Sequence, residues 1–280
     1  MELTTAAALY FEFDSPDLTV LETVSLLFVI LPISAMLGWW TGNRGRRSVL
    51  AAGREIDMVA GEATFGSITA ILGLLLAFTF GHGLAVMEKR KSALNAEANA
   101  IGTAFLRTDY LAEPGRTELR DALLRYAETR LPGSETNISG EHVVAQFMER
   151  TLRVQGELWP ITVAATADPL PAPLKAFVAG AVNDVIDAHG ERASTINTPI
   201  SSFAYIVLLA AAITALFLLG NRAGLLGRRL TWRTFVLSLF LMLVMITITD
   251  MQRPYDGVIT ADETLMRATI FDMRAALESG

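Results

Sequence analysis

Four stretches of the chain stay apolar for the length of a bilayer, and a charged middle divides them into two pairs. A hydrocarbon core about 30 Å thick needs about 20 apolar residues at about 1.5 Å each. The first stretch, Leu18 to Trp40, contains the uncharged run VSLLFVILPISAMLGWW, and Pro32 inside it predicts a bend. The second, Ala63 to Met87, carries no acid and no lysine or arginine. The third, Ile200 to Leu219, follows a start signal: the capping hydroxyl of Thr198, then Pro199 in the first turn. The fourth, Leu230 to Thr249, holds FVLSLFLMLVMITIT, with Arg233 near its start placed to snorkel.

Between the pairs, Glu88 to Asn197 reads as amphipathic helices broken at Pro114, at Leu131-Pro132-Gly133 and between Asp168 and Pro173. One helix runs straight on from the second apolar stretch through MEKRKSALNAEANAIGTAFLR. A second starts at Pro114, with Leu119, Leu123, Leu124 and Ala127 at helical spacing. Two more cover about His142 to Val154 and Leu174 to His189. Strand signals are weak throughout. The pattern predicts an all-α integral membrane protein: four transmembrane helices, with a helical extramembrane domain between the second and the third. The boundaries expected are a polar segment at 1–17, helices one and two in 18–87, the extramembrane domain at 88–197, helices three and four in 198–249, and a polar tail at 250–280 that packs on the extramembrane domain.

Composition agrees and removes several alternatives. The chain is 52% hydrophobic and 19% charged, and its mean hydropathy is +0.41, which is too apolar for a disordered chain. A net charge of −6 leaves no basic excess to meet phosphates, so no nucleic-acid partner is expected. Without a single cysteine there is no disulfide framework, thiol nucleophile or zinc–cysteine site. His82, His142 and His189 stand in no metal-ligand spacing, and no phosphate-binding loop or nucleophile elbow occurs. No enzyme activity, cofactor or metal is expected. The acidic N-terminus, MELTTAAALYFEFDSPD, does not read as a cleaved signal peptide.

Charge at the helix ends gives an orientation. Arg44, Arg46, Arg47, Arg54, Arg222, Arg228, Arg229 and Arg233 gather on one side, against Lys89, Arg90, Lys91, Arg192 and Arg253 on the other. Eight against five puts the short loops 41–62 and 220–230 in the cytoplasm of a multi-pass cell-membrane protein, a bacterial inner membrane being the expected host.

The second apolar stretch carries the most information. Gly73, Ala77, Gly81 and Ala85 form a ridge of small residues, and Leu72, Leu76, Phe80 and Leu84 a bulky ridge about 100° away. In one reading the small ridge packs on a neighbouring helix while the bulky one faces the axis of an oligomer, where apolar rings gate ions by dewetting. In the other, the small ridge packs within the subunit and the bulky one faces lipid. Lys89, Arg90 and Lys91 follow at once, as a charged vestibule or as plain boundary anchors. Glu97 and Asn99 then lie among small apolar residues, where a carboxylate needs a partner. Asp187 with Arg192, and Asp250 with Arg253, flank the membrane on the same side and suit a salt-bridge network or an ion entrance.

LGLLLAFTFG (Leu72–Gly81), EANAIGTAFLRTDYL (Glu97–Leu111), DAHGER (Asp187–Arg192) and DMQRPYDG (Asp250–Gly257) together resemble the bestrophin-like domain family of bacterial and plant membrane proteins, over about residues 20 to 275. The last piece is similar to the family's Asp-x-x-Arg-Pro-x-x-Gly pattern. The resemblance implies a relation to bestrophins, pentameric anion channels whose second helix lines the pore with an apolar neck. Carried onto this chain, the neck falls on Leu76, Phe80 and Leu84. The calcium-binding acidic cluster of animal bestrophins and an Asn-Pro-Phe-like element in helix one are not seen. The large bestrophin domain is also cytosolic, opposite to the charge-based orientation. The function expected is an oligomeric, anion-conducting channel in the lipid bilayer. The alternative is a non-transporting scaffold or sensor whose extramembrane domain binds a partner or ligand. A coupled transporter is disfavoured, since His82 is the one ionisable group deep in a helix.

Overall fold

The computed structural model describes residues 20–56, 60–131, 141–167, 169–196, 202–252 and 262–279. The N-terminal segment 1–17, the Thr198-Pro199 start signal and Arg253 to Gly257 lie outside the described residues. Among the described residues every regular element is helical. In chain order they are α1 (Val20–Ala51), α2 (Ala60–Arg107), a 3-10 turn (Thr108–Tyr110), α3 (Gly115–Thr129), α4 (Glu141–Ala165), α5 (Ala172–Ile196), α6 (Ser202–Leu225), α7 (Trp232–Met251) and α8 (Thr264–Ser279).

Four of these are long and apolar enough to cross a membrane: α1, α2, α6 and α7. Two run further than their apolar stretches. α1 continues through Arg44, Arg46 and Arg47, because arginine is a good helix former and nothing there breaks the ladder. It stops at Gly53, whose φ of +68° suits only glycine; the Arg54 N–H then reaches back to the Val49 carbonyl. α6 ends the same way at Gly227, φ +66°, with the Arg228 N–H on the Ala223 carbonyl. Much of the two expected short loops is therefore helix. α2 is 48 residues, about 72 Å, far longer than a bilayer is thick. It passes through Gly102, where a β-carbon would sit 3.5 Å from Thr269 of α8.

The chain divides into two compact units. The membrane unit takes Pro16–Ala85 and Pro199–Arg253. Its core is Leu27, Leu31 and Ala35 of α1, Leu72 of α2, Leu208, Ala212 and Leu216 of α6, and Leu241, Met245 and Ile248 of α7. Glycine sets its tightest contact. A β-carbon on Gly38 would land on the Phe217 carbonyl oxygen and one on Gly42 on that of Asn221. One on Gly220 would meet the Ala35 oxygen, and one on Gly224 the Trp39 oxygen. Two small-xxx-small pairs, one on each helix, thus let α1 and α6 touch backbone to backbone, close enough for Cα–H to carbonyl contacts. Asn221 donates to Thr41 Oγ1 at 3.1 Å, and Trp39 Nε1 to the Arg228 carbonyl at 2.9 Å.

The extramembrane unit takes Val86–Thr198 and Pro254–Gly280. Ala98, Ile101 and Phe105 of α2 pack with Leu119, Leu123 and Tyr126 of α3, Leu158 of α4, and Val178, Val182 and Val185 of α5. α8 closes this core with Met266, Ile270 and Met273, and Arg274 pairs with Glu128 at 2.6 Å. α3 starts one residue after Pro114, where Glu113 accepts hydrogen bonds from the Thr117 N–H and hydroxyl. α4 runs past Val154 to Ala165 and contains Pro160, which cannot donate to the Gly156 carbonyl; both residues are exposed, so that carbonyl is open to water.

Candidate functional site

The first candidate is the face of α2 within the membrane unit. Burial along this helix follows one stripe. Leu72 and Gly83 are buried, Leu75, Leu76, Thr79 and Phe80 are half-buried, and Gly73, Leu74, Ala77, Phe78, Gly81, His82, Leu84 and Ala85 are exposed. At 100° per residue the exposed positions form one continuous arc opposite Leu72. The bulky ridge therefore turns inward, and Leu76 and Phe80 pack against the membrane core. The small ridge is open, since a β-carbon on Gly73 or Gly81 would meet nothing within 4 Å. Of the three expected neck residues, Leu84 lies on the open arc at 48% exposure, Phe80 sits at its edge, and Leu76 leans into the core. Only 11% of the apolar window of α2 is buried, against 28% to 50% for the other three spans. Most of the membrane stretch of α2 has no partner among the described residues.

The second candidate lies in the extramembrane unit, centred on Glu97, which is fully buried. Its Oε1 accepts the Tyr126 hydroxyl at 2.6 Å and lies 2.7 Å from Arg130 Nε. Its Oε2 accepts Arg192 Nη1 at 2.8 Å. Arg192 also reaches the Arg130 carbonyl at 3.5 Å. Each partner comes from a different helical turn: Glu97 from α2, Tyr126 from α3, Arg130 from the end of that helix and Arg192 from α5. One carboxylate is thus held between two guanidinium groups and a phenol. A buried carboxylate is costly unless it is compensated, and this one has two hydrogen-bond donors, Tyr126 and Arg192, and an ion pair with Arg130.

His189 lies beside them on α5, with Nδ1 3.9 Å from Glu97 Oε1 and its ring edge-on to Tyr126. Neither ring nitrogen has a hydrogen-bond partner among the described residues. Burial first, then the Arg130 charge, lowers its pKa from 6.5 to about 4; Glu97 pulls the other way and is outweighed. The imidazole is therefore neutral at physiological pH. Burial, followed by the Glu97 charge, pushes the Tyr126 phenol well above its usual 10, so it stays a donor.

The remaining expected residues are scattered. Lys89, Lys91 and Asn99 are exposed, while Arg90 is buried and donates through Nε to the Thr195 carbonyl at 3.2 Å. Asp187 is exposed and accepts Asn183 Nδ2 at 2.9 Å. Asp250 is buried in the membrane unit, and Arg253 lies outside the described residues. Of the residues gathered here, the sequence points to Glu97 and Arg192, and to His189 within the DAHGER piece, but not to Arg130 or Tyr126. A tyrosine on the apolar face of its helix was the available signal. Arg130, just before a Pro-Gly turn, reads as surface.

Comparison with known proteins gives one family. A family model described as Bestrophin-like domain matches residues 33–265. The fold is similar to crystal structures of a bacterial bestrophin homologue from Klebsiella pneumoniae. One variant has a TM-score of 0.60 at 13% identity, covering 87% of this chain and 98% of that one. Another has a TM-score of 0.58 at 12% identity, covering 91% and 99%. A structure titled only as a membrane protein has a TM-score of 0.61 at 13% identity, covering 92% and 99%. No curated protein matches in sequence.

Proposed function

From the premise that this chain belongs to the bestrophin-like domain family, we propose that it is the subunit of an oligomeric channel that passes anions, with α2 lining the pore. The observation that carries this reading is the unpartnered arc of α2. A membrane helix that leaves most of its circumference empty, beside three better-buried ones, suits a position around a shared axis. Five such subunits are the assembly we propose. In that arrangement the open arc offers Leu74 and Leu84 as bulky apolar rings about 15 Å apart, with the small Ala77 and Gly81 between them and Phe80 at the edge. Lys89 and Lys91, exposed directly after the apolar stretch and opposed there by Glu88, supply the bias toward anions.

Halide flux from proteoliposomes tests it. Leu84→Ala should change the flux most and Phe80→Ala less. Leu76→Ala should act mainly on stability, because that side chain supports the subunit core. Equal flux in wild type and in all three variants would remove α2 from the pathway. The arginine excess supports a cytoplasmic position for the short loops. The chain has no cysteine, so Arg229→Cys and Ser134→Cys report sidedness without background. External labelling of position 229 and not 134 reverses the orientation and leaves the channel reading standing.

A further inference from the structure

The membrane unit has an apolar cavity of about 140 Å³ between α2, α6 and α7. Phe65, Leu72 and Leu76 line it from α2, Leu219 from α6, and Leu237 and Leu241 from α7. Its one hydroxyl, on Thr69, is spent on the Phe65 carbonyl at 2.8 Å. It is half open, and its volume suits a stretch of hydrocarbon rather than a whole chain, since apolar cavities of about 150 Å³ take up benzene.

The helix register shows what stands at one end of it. Arg222 is three residues beyond Leu219, and Arg233 four residues before Leu237, so each lies about one turn from the lining on the same helix face. Arg222 is paired with Glu62. Arg228, Arg229 and Arg233 are exposed and have no acidic partner among the described residues. They flank the N-terminus of α7, whose N-cap residue Thr231 makes no side-chain cap. The Thr234 N–H bonds the Thr231 carbonyl at 3.0 Å, which leaves the N–H groups of Trp232 and Arg233 to another acceptor. Trp232 is 71% exposed beside them, with Arg233 6.0 Å from its ring, as suits the bilayer interface.

We propose that this is a site for an anionic phospholipid of the surrounding leaflet. A segment of one acyl chain lies in this half-open cavity. The phosphate lies at the start of α7, between its N–H groups and the guanidinium groups of Arg229 and Arg233. Arginine suits this role, because its planar fork meets phosphate oxygens in pairs. The charge of the collar selects the anionic headgroup, and the cavity selects a lipid over a free phosphate. The site is independent of whether the protein conducts.

The test is native mass spectrometry of the delipidated, full-length protein titrated with phosphatidylglycerol, phosphatidylcholine or glycerol phosphate. Phosphatidylglycerol should be retained, and the other two should not. Arg229→Gln with Arg233→Gln should weaken its retention roughly tenfold or more. Gly73→Leu fills the cavity from a position where a β-carbon meets nothing within 4 Å, and should weaken retention equally while the protein stays monodisperse. Equal retention of both lipids, or glycerol phosphate binding as well as the lipid, would overturn the proposal. So would a Gly73→Leu variant that keeps its lipid but loses its oligomer, which would assign the cavity to a neighbouring copy. Halide flux on the same variants reads the channel separately.

Discussion

The two units solve the same problem, holding long helices together, with opposite chemistry. In the membrane unit α1 and α6 meet at Gly38, Gly42, Gly220 and Gly224, backbone against backbone. In the extramembrane unit the helices meet around a buried carboxylate held by Arg130, Arg192 and Tyr126. The difference follows from the surroundings. In lipid, apolar side chains gain little by leaving their solvent, so close van der Waals approach must supply the attraction. In water, burial of apolar surface supplies it, and a core that large can carry one saturated ion cluster. Such a cluster adds little net stability over an apolar core, but removing one member leaves the others buried and uncompensated.

That contrast can be broken first at the glycines, where the largest effect is expected. Gly220→Leu puts a side chain onto the Ala35 carbonyl and should cost upwards of about 4 kcal/mol, the range of severe core disruptions. Loss of monodisperse protein on size exclusion is the readout. Gly81→Leu, placed in open space, should remain folded, and failure of both would mean that any bulk on these helices is harmful.

The second break is at the ion cluster. Glu97→Leu leaves Arg130 and Arg192 buried without their carboxylate and should cost about 3–5 kcal/mol, read as a fall in thermal midpoint. Replacing all three charged residues with apolar ones of similar volume should recover much of that loss. If the triple variant is no more stable than Glu97→Leu, the cluster stabilises outright.

The smallest effect sharpens the comparison through pH. With His189 at about 4 in the folded state and 6.5 as the ordinary value, the unfolded chain binds the extra proton between those limits. Stability should therefore be full above pH 6.5 and fall as pH drops toward 4, by at most about 1.4 kcal/mol per unit. His189→Phe should flatten that part of a midpoint-against-pH curve. An unchanged slope in the variant would place the sensitive group elsewhere.

How far the sequence could be read depended on the kind of signal. Length and hydropathy settled the four spans, and the missing stop signal before Gly102 made α2 one helix. The demand for a partner at Glu97 was equally legible, because an isolated buried carboxylate is forbidden in almost any fold. Which groups answer that demand was not legible, since Arg130 and Arg192 are 62 residues apart in the chain. The small-residue ridges show the same limit. Spacing of four marks a ridge on α1, α2 and α6 alike, but the tight contact forms between α1 and α6, and the ridge of α2 faces outward.

By itself, then, the sequence determined which segments are long and apolar enough to cross a bilayer, that the chain is helical and where a charge must be compensated, but not that part of the polar tail forms α8. These follow from local periodicity and from the solvation cost of single groups, neither of which needs a partner to be known. Only the tertiary structure decided which face of α2 is left open, which glycines carry backbone contact and which residues close around Glu97. Those depend on the rotation of each helix against its neighbours, a single angle that packing sets and that a repeat of four residues does not contain.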